Sequence, residues 1–289
     1  MKKLNILVLA KQVPDTRNVG QDAMKADGTV NRGALPAIFN PEDRNALEQA
    51  LRIKDELNAS ITLLTMGPPR AAEIIREALY RGADQGVLLT DRSFAGSDTL
   101  ATSYAISMAV KKIQPDIVLA GRQAIDGDTA QVGPQVAEKL GWPQVTYAEE
   151  IKNISDKQIE IKRRLENGIE MVKSTLPVVV TVTGSAPECR TRHAKLTMKY
   201  KHARTVSELQ NEVRDYEAMM QTKPYLKIEE WDVNTVKADT DMLGLSGSPT
   251  KVKKIENVVF TAKETKKMGD SYDEISELMK EMIENHTIG

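Results

Sequence analysis

Among 289 residues there is one cysteine, Cys189, so neither an internal disulfide framework nor a cluster held by this chain's own cysteines can form. An excess of charge is also missing. Forty Lys and Arg stand against 41 Asp and Glu, so nothing global points to nucleic acid or an anionic membrane. No apolar run approaches the roughly 20 residues of a membrane span. His193 and His202 have no third ligand nearby, and no metal site is expected there. No nucleophile–base pair or acid–base dyad stands out, which agrees with chemistry that belongs to a cofactor. Met1-Lys2-Lys3 leads directly into Leu4 to Ala10, a run too short for a secretory core with a cleavage site and better read as a first strand; a reducing, cytoplasmic setting is expected.

What is present is an alternation of strand and helix over residues 1 to about 145. After the first strand comes a long loop from Lys11 to Phe39, and a loop of that length is usually functional or ordered by a partner. Asn40-Pro41-Glu42-Asp43 then reads as a helix start, with Asn40 as cap, Pro41 at the first position and acids at the positive end of the dipole. Strands are expected at Ile61 to Met66, Val87 to Leu89 and Asp116 to Ala120, and helices from Arg70 to Arg81 and from about Ser97 or Asp98 to Ile113. Four such units in series predict an α/β fold with a doubly wound parallel sheet. Three turns, at Met66-Gly67, Phe94 to Thr99 and Gly121 to Gly133, emerge at the carboxyl ends of the strands, where they can line one crevice.

The Gly121 to Pro134 stretch is the most informative of these turns. It joins a short apolar run to a helix marked by Val136, Ala137 and Leu140 and stopped at Gly141. A helix N-terminus at the end of a parallel strand is where such sheets bind anionic and nucleotide ligands. Asp128, Thr129 and Gln131 can each offer a side-chain acceptor to the unpaired amides. Asp126 and Asp128 would repel a phosphate, and Arg122 offsets only one of them. Three readings stay open: backbone amides meet the phosphate while an Asp faces ribose or caps the helix, both acids only cap and turn, or they form a divalent-metal pair. Nucleotide binding is the one favoured.

Beyond residue 145 the pattern changes. Ile151 to Ile154, Gln158 to Leu165, Ile169 to Ser174 and Pro177 to Val182 read as antiparallel strands, with Asn167-Gly168 as a hairpin signal, and they make a ribbon at 145–185. A basic segment follows at 189–207, uninterrupted by acids. It is a solvated surface or a docking loop for an acidic partner, and with Tyr200 as its only ring it is a poor nucleic-acid surface. Cys189 beside Arg190 is read as a bystander thiol rather than an activated one. Ser207 to Met220 has helical periodicity, Lys223 to Val233 suits an edge strand, Asp239 to Lys254 an extended arm, and Ser271 to Glu284 a terminal helix burying Ile275, Leu278, Met279 and Ile283. The expected division is an α/β nucleotide-binding domain at 1–235 and a C-terminal arm and helix at 236–289.

Seven blocks carry a family resemblance: Val8-Leu9-Ala10-Lys11-Gln12-Val13-Pro14-Asp15, Asn40-Pro41, Met66-Gly67-Pro68, Arg81-Gly82-Ala83-Asp84, Gly121-Arg122-Gln123-Ala124-Ile125-Asp126, Trp142-Pro143 and Leu176-Pro177-Val178-Val179. Running in order over residues 4 to 185, they resemble the β-subunits of electron transfer flavoproteins. The resemblance implies an adenine nucleotide α-hydrolase-like sheet, a heterodimer with a flavin-carrying α-subunit, and AMP in the β-subunit crevice of simple members. Phe94 to Thr99, Asp126 to Pro134 and Gly247 to Val252 are similar instead to the electron-bifurcating branch, which implies a second FAD in the crevice.

On that resemblance the cofactor would be held by Leu9, Asn40, Met66, Gly67, Phe94, Gly96, Asp98 and Thr99, and by Gly121, Arg122, Gln123, Asp126, Gly127, Asp128, Thr129, Ala130, Gln131, Val132 and Gly133. Phe94 to Thr99 would lie near the isoalloxazine and Gly121 to Gly133 around the pyrophosphate and ribose. NADH would be the electron donor. The α-subunit flavin and ferredoxin or flavodoxin would be acceptors, and an acyl-CoA or similar dehydrogenase the enzyme served. Arg192, Lys195, Leu196 and Met198 would dock that dehydrogenase, although only a Leu-x-Met core resembles the family's recognition loop. The C-terminal arm and helix would pack on the partner subunit. The alternatives are a non-bifurcating β-subunit with structural AMP, an adenylate-binding regulatory module, and an ATP-cleaving adenylation enzyme. The last would carry a Ser-Gly-Gly-x-Asp-Ser loop where this chain has Lys11-Gln12-Val13-Pro14.

Overall fold

The apolar run near the start of the chain forms β1 (Asn5–Leu9), buried after its first residue. The computed structural model describes residues 3–15, 36–57, 59–209, 216–250 and 267–284. β2 (Gln12–Pro14) and β3 (Ala37–Phe39) pair antiparallel, so the expected loop between Lys11 and Phe39 has a laddered stem; residues 16–35 lie outside the described residues. α1 (Pro41–Leu57) starts at the expected Asn-Pro-Glu-Asp stretch. Then follow β4 (Ser60–Met66), α2 (Ala72–Arg81), β5 (Gln85–Leu89), α3 (Thr99–Ile113), β6 (Ile117–Gly121) and α4 (Val132–Leu140). Asp98 is the cap of α3, accepting hydrogen bonds from the N–H groups of Leu100 and Ala101.

β7 (Gln144–Ile154), β8 (Gln158–Leu165) and β9 (Gly168–Thr175) make the antiparallel extension. β10 (Val178–Val182) departs from expectation. It is not a ribbon strand but runs parallel between β6 and β7 inside the main sheet. The physical reason is visible in its residues: a continuous run of Val and Thr, buried at every position, suits a strand covered on both faces, whereas a ribbon strand alternates. Then come α5 (Ala194–Tyr200), α6 (Val206–Leu209), α7 (Tyr216–Thr222), β11 (Glu229–Trp231) and α8 (Val233–Val236). The amphipathic stretch expected at 207–220 is thus two short helices flanking residues 210–215, which lie outside the described residues.

Among the described residues the main sheet has nine strands in the order β11-β5-β4-β1-β6-β10-β7-β8-β9. Crossovers lead outward from β1 in both directions, so the switch point lies between β1 and β6. One face carries α1 and α2 over Ile6, Val8, Leu47, Ile75 and Val180. The other carries α3 and α4 over Leu7, Leu9, Ile106, Val136 and Val179. This is the expected doubly wound α/β arrangement with an antiparallel extension.

The chain separates into two compact units, 1–253 and 254–289. In the second, α9 (Tyr272–Glu284) places Ile275, Met279 and Ile283 along one side, and these are exposed rather than buried. In the first, Asp239 to Thr250, expected as an extended arm, turns through a 3-10 turn at Thr240–Met242 and lies on the residues that precede α3.

Because Val179 and Val180 face opposite cores, Val179→Asp and Val180→Asp should each prevent folding, by more than about 4 kcal/mol, as an unpaired charge is buried on either side. Denaturant unfolding or soluble yield measures this. A ribbon strand with one open face would tolerate one of the two.

Candidate functional site

The carboxyl ends of β1, β4 and β6 and the first turns of α3 and α4 enclose a cleft of about 420 Å³ at the switch point. Its floor is apolar: Leu9, Leu64, Met66, Phe94, Ile106 and Ala120. Its rim carries Gly96, Asp98 and Thr99 from one turn, and Gly121, Arg122, Gln123, Gly127, Asp128, Thr129, Ala130, Gln131, Val132 and Gly133 from the other. Three predicted residues stand outside the wall: Asn40, Gly67 and Asp126. The Gly67 N–H is bonded to the Leu89 carbonyl at 3.1 Å, and Asp126 grips Lys11 Nζ at 2.7 and 2.8 Å.

Asn40 belongs to the machinery that holds the loop. Its side-chain nitrogen donates to the Gln123 carbonyl at 2.9 Å, and its oxygen accepts the Ile125 N–H at 3.2 Å. Two residues on, Glu42 accepts the Gln123 N–H at 2.9 Å and faces Arg122 at 3.4 Å. Asp43 was read in sequence as a helix-dipole acid only. In the fold it is buried and accepts the N–H of Lys11 at 2.8 Å and of Gly121 at 3.0 Å, joining the ends of β1 and β6. Burial pushes its carboxyl up to about 7, against the lowering effect of those bonds and of Asn40. A raised folded value means that this group's contribution to stability is full below 3.8 and is lost as the pH rises through about 7. The clue available in sequence was the spacing Asn-Pro-Glu-Asp, three polar side chains on one helical turn.

The loop after β6 then takes a strained course. Asp128 and Ala130 have φ of 49° and 52°, a region that non-glycine residues occupy at a cost of about 1 kcal/mol or more each. No side chain caps α4: Gln131 makes no cap bond, and Asp128 accepts from the Gln123 side chain at 2.9 Å instead. Among the described residues the N–H groups of Val132 and Gly133 have no acceptor, and Pro134 has no N–H to satisfy. A positive helix end therefore opens on the cleft without a protein acceptor. Thr99 Oγ1 and Gln131 Oε1, 2.9 Å apart, tie the two rims together. Among the described residues no group of three or more His, Cys, Asp or Glu is arranged to hold a metal ion.

Behind the Gly96 to Thr99 rim lies a strap, residues 244–250, which does not itself line the cleft. Asp98 Oδ2 accepts the Thr250 N–H at 3.1 Å and its Oγ1 hydrogen at 2.6 Å; the Asp98 N–H donates to Ser248 Oγ at 2.8 Å, and the Gly244 N–H to Ser97 Oγ at 3.1 Å. Gly244 has φ +55°, and a Cβ there would run into the backbone oxygens of Ser93 and Ala95. Burial raises the Asp98 carboxyl, but the bonds from Thr250, Ala101 and Leu100 outweigh it and hold the group below the usual aspartate value of 3.8.

The expected docking residues lie elsewhere, on α5 and the segment before it. Met198 is 63% exposed and Lys195 is exposed, while Leu196 packs partly into the core. Arg192 is already engaged by Glu77 and lies over the Tyr80 ring, and Arg190 is engaged by Glu48 and Asp55. Burial pushes the Cys189 thiol up to about 11, away from the reactive thiolate form.

Two outcomes are expected. Gly121→Ala should cost at least about 1–3 kcal/mol in a denaturant titration, because the new methyl would lie 2.7 Å from the Asp43 backbone nitrogen, which no side-chain rotation relieves. The strap's protection from hydrogen exchange should be full above pH 3.8 and decline as the pH falls further, since a depressed carboxylate loses its contribution when protonated; Thr250→Val should expose the same amides at neutral pH.

The sequence matches the electron transfer flavoprotein domain over residues 27–210. It is 44% identical over 270 residues to the electron transfer flavoprotein subunit beta of Clostridium acetobutylicum, covering 93% of this chain and 92% of the relative. It is 39% identical over 291 residues to the acryloyl-CoA reductase electron transfer subunit gamma of Anaerotignum propionicum, covering 99% and 100%. A subunit of the caffeyl-CoA reductase–Etf complex of Acetobacterium woodii is 52% identical over 180 residues, 62% of this chain and 68% of that one. No helix among the described residues is long and apolar enough to cross a membrane. This chain belongs to the electron transfer flavoprotein family, and it is the β-subunits of that family, partners of an α-subunit, that it matches.

Proposed function

We propose that this chain binds FAD in the cleft between β1 and β6 and, paired with its α-subunit, works as a cytoplasmic, NADH-dependent electron-bifurcating flavoprotein. Electrons would pass to the FAD of the partner subunit and to ferredoxin or flavodoxin, in the service of an acyl-CoA or similar dehydrogenase. The observation that carries the reading is the uncapped start of α4 opening on an apolar-floored cleft. The residues fit the group. Leu9, Leu64, Met66, Phe94 and Ile106 offer a surface for a flat ring system, and the Val132 and Gly133 amides offer donors to a diphosphate. Arg122 Nε is buried there without a partner, and the exposed Asp128 and half-buried Gln123 are suited to ribose hydroxyls. The cofactor would supply hydride acceptance and one-electron transfer; the chain's part is to bind, orient and exclude water.

Support for the bifurcating version comes from the turn Phe94 to Thr99, which lines the cleft and is held in place by the strap. The names of the acryloyl-CoA and caffeyl-CoA reductase relatives favour an acyl-CoA type of dehydrogenase. The exposed stripe of Ile275, Met279 and Ile283 on α9 is suited to packing on the α-subunit, and Lys195, Leu196, Met198 and Arg192 to docking the dehydrogenase.

The test is to produce the chain with its α-subunit, release the bound nucleotides and quantify them. Two FAD per heterodimer is the expected result. One FAD with AMP would replace the bifurcating reading by the AMP-binding one, and a colourless complex would remove both.

A further inference from the structure

Where an anion would enter, the cleft wall is acidic. Asp43, Asp98 and Asp128 line it, opposed by Lys11 and Arg122. Both cations are engaged by carboxylates of this chain, Lys11 by Asp126 at 2.7 Å and Arg122 by Glu42 at 3.4 Å, with the Arg122 guanidinium also over the Tyr147 ring. Asp98, at the start of α3, accepts four hydrogen bonds. Asp128 is exposed at the rim. Asp43 is different. It is buried, and its hydrogen-bond donors are all neutral: the N–H groups of Lys11 and Gly121 and the Asn40 amide. The charged neighbour acting on it from its own helix is Glu42, of the same sign.

A phosphate entering this wall adds negative charge in a poorly solvated place, and uptake of one proton is the least costly response. Of the acids above, Asp43 is the one that is buried and hydrogen-bonded by neutral donors alone. We propose that anion binding in this cleft is coupled to protonation of Asp43, so that the chain takes up a nucleotide phosphate and a proton together. Burial already holds this carboxyl near neutrality, within reach at physiological pH. Once protonated it can still accept an N–H, and it gains a donor for an anionic oxygen. The inference rests on the reading of the cleft as a nucleotide site.

The test uses the full chain in complex with its α-subunit, freed of nucleotide in the cleft, with AMP as the probe. Calorimetric titrations at pH 8 in two buffers of different ionisation enthalpy give the number of protons taken up. The AMP phosphate is fully ionised there, since such groups have a second pKa near about 6. Uptake of about half a proton or more is expected, with affinity falling by up to about tenfold per pH unit between pH 7.5 and 9. Asp43→Asn should bind AMP without this uptake. If that variant does not fold, carbon-13 NMR of the wild-type aspartate carboxyls, with and without AMP, reads the same proton. AMP binding without uptake, or undiminished uptake in Asp43→Asn, would overturn the coupling and leave the nucleotide reading standing. Failure of both AMP and FAD to bind would overturn the reading itself.

Discussion

The first turn of α1 reaches over the carboxyl ends of β1 and β6 and binds both, and the shape of the cleft depends on that contact. Asp43 accepts one N–H from each strand end, while Asn40 and Glu42 hold the next residues of the loop at Gln123 and Ile125. Each bond is worth only about 1 kcal/mol net, but an N–H orphaned in this buried corner costs about 1–3 kcal/mol. The set therefore behaves as a lock rather than as a sum of small gains. It admits only glycine at 121, where the strand end passes against the backbone of Glu42 and Asp43.

With that corner fixed, the rest of the loop has little choice of path. It must reach α4 on the opposite face of the sheet, and it does so through positive φ at Asp128 and Ala130. Strain of this kind persists where the surroundings over-determine the chain. The result is a helix start that no side chain caps, beside a rim whose Asp98 anchors the strap. One carboxylate caps α3 and anchors the strap, so the order of the turn and of the segment near Thr250 are linked.

Much of this was legible in the residues. The strand–helix alternation, the three turns at one edge and the start of α1 follow from apolar periodicity and cap chemistry, which are local signals. The strand at Val178–Val182 was misread because its neighbours set a hairpin context, although its own unbroken apolar run pointed to the centre of a sheet. Asp43 was legible only as a helix-dipole acid, since its bonds are to Lys11 and Gly121, 32 and 78 residues away. The arginines at 190 and 192 read as free charge because the acids that engage them, Glu48, Asp55 and Glu77, lie on α1 and α2. Local chemistry marks elements and turns; partners distant in the chain are settled only by the fold.

The helix end at Val132 and Gly133 meets its surroundings through main-chain nitrogen, not through a lysine or arginine. Such donors are common to every residue type but proline, so no side-chain exchange at those two positions other than to proline deletes them. Sequence drift at this end of the cleft is therefore constrained by backbone shape, as at Gly133, whose missing Cβ makes room for Thr181, rather than by the identity of any charged group.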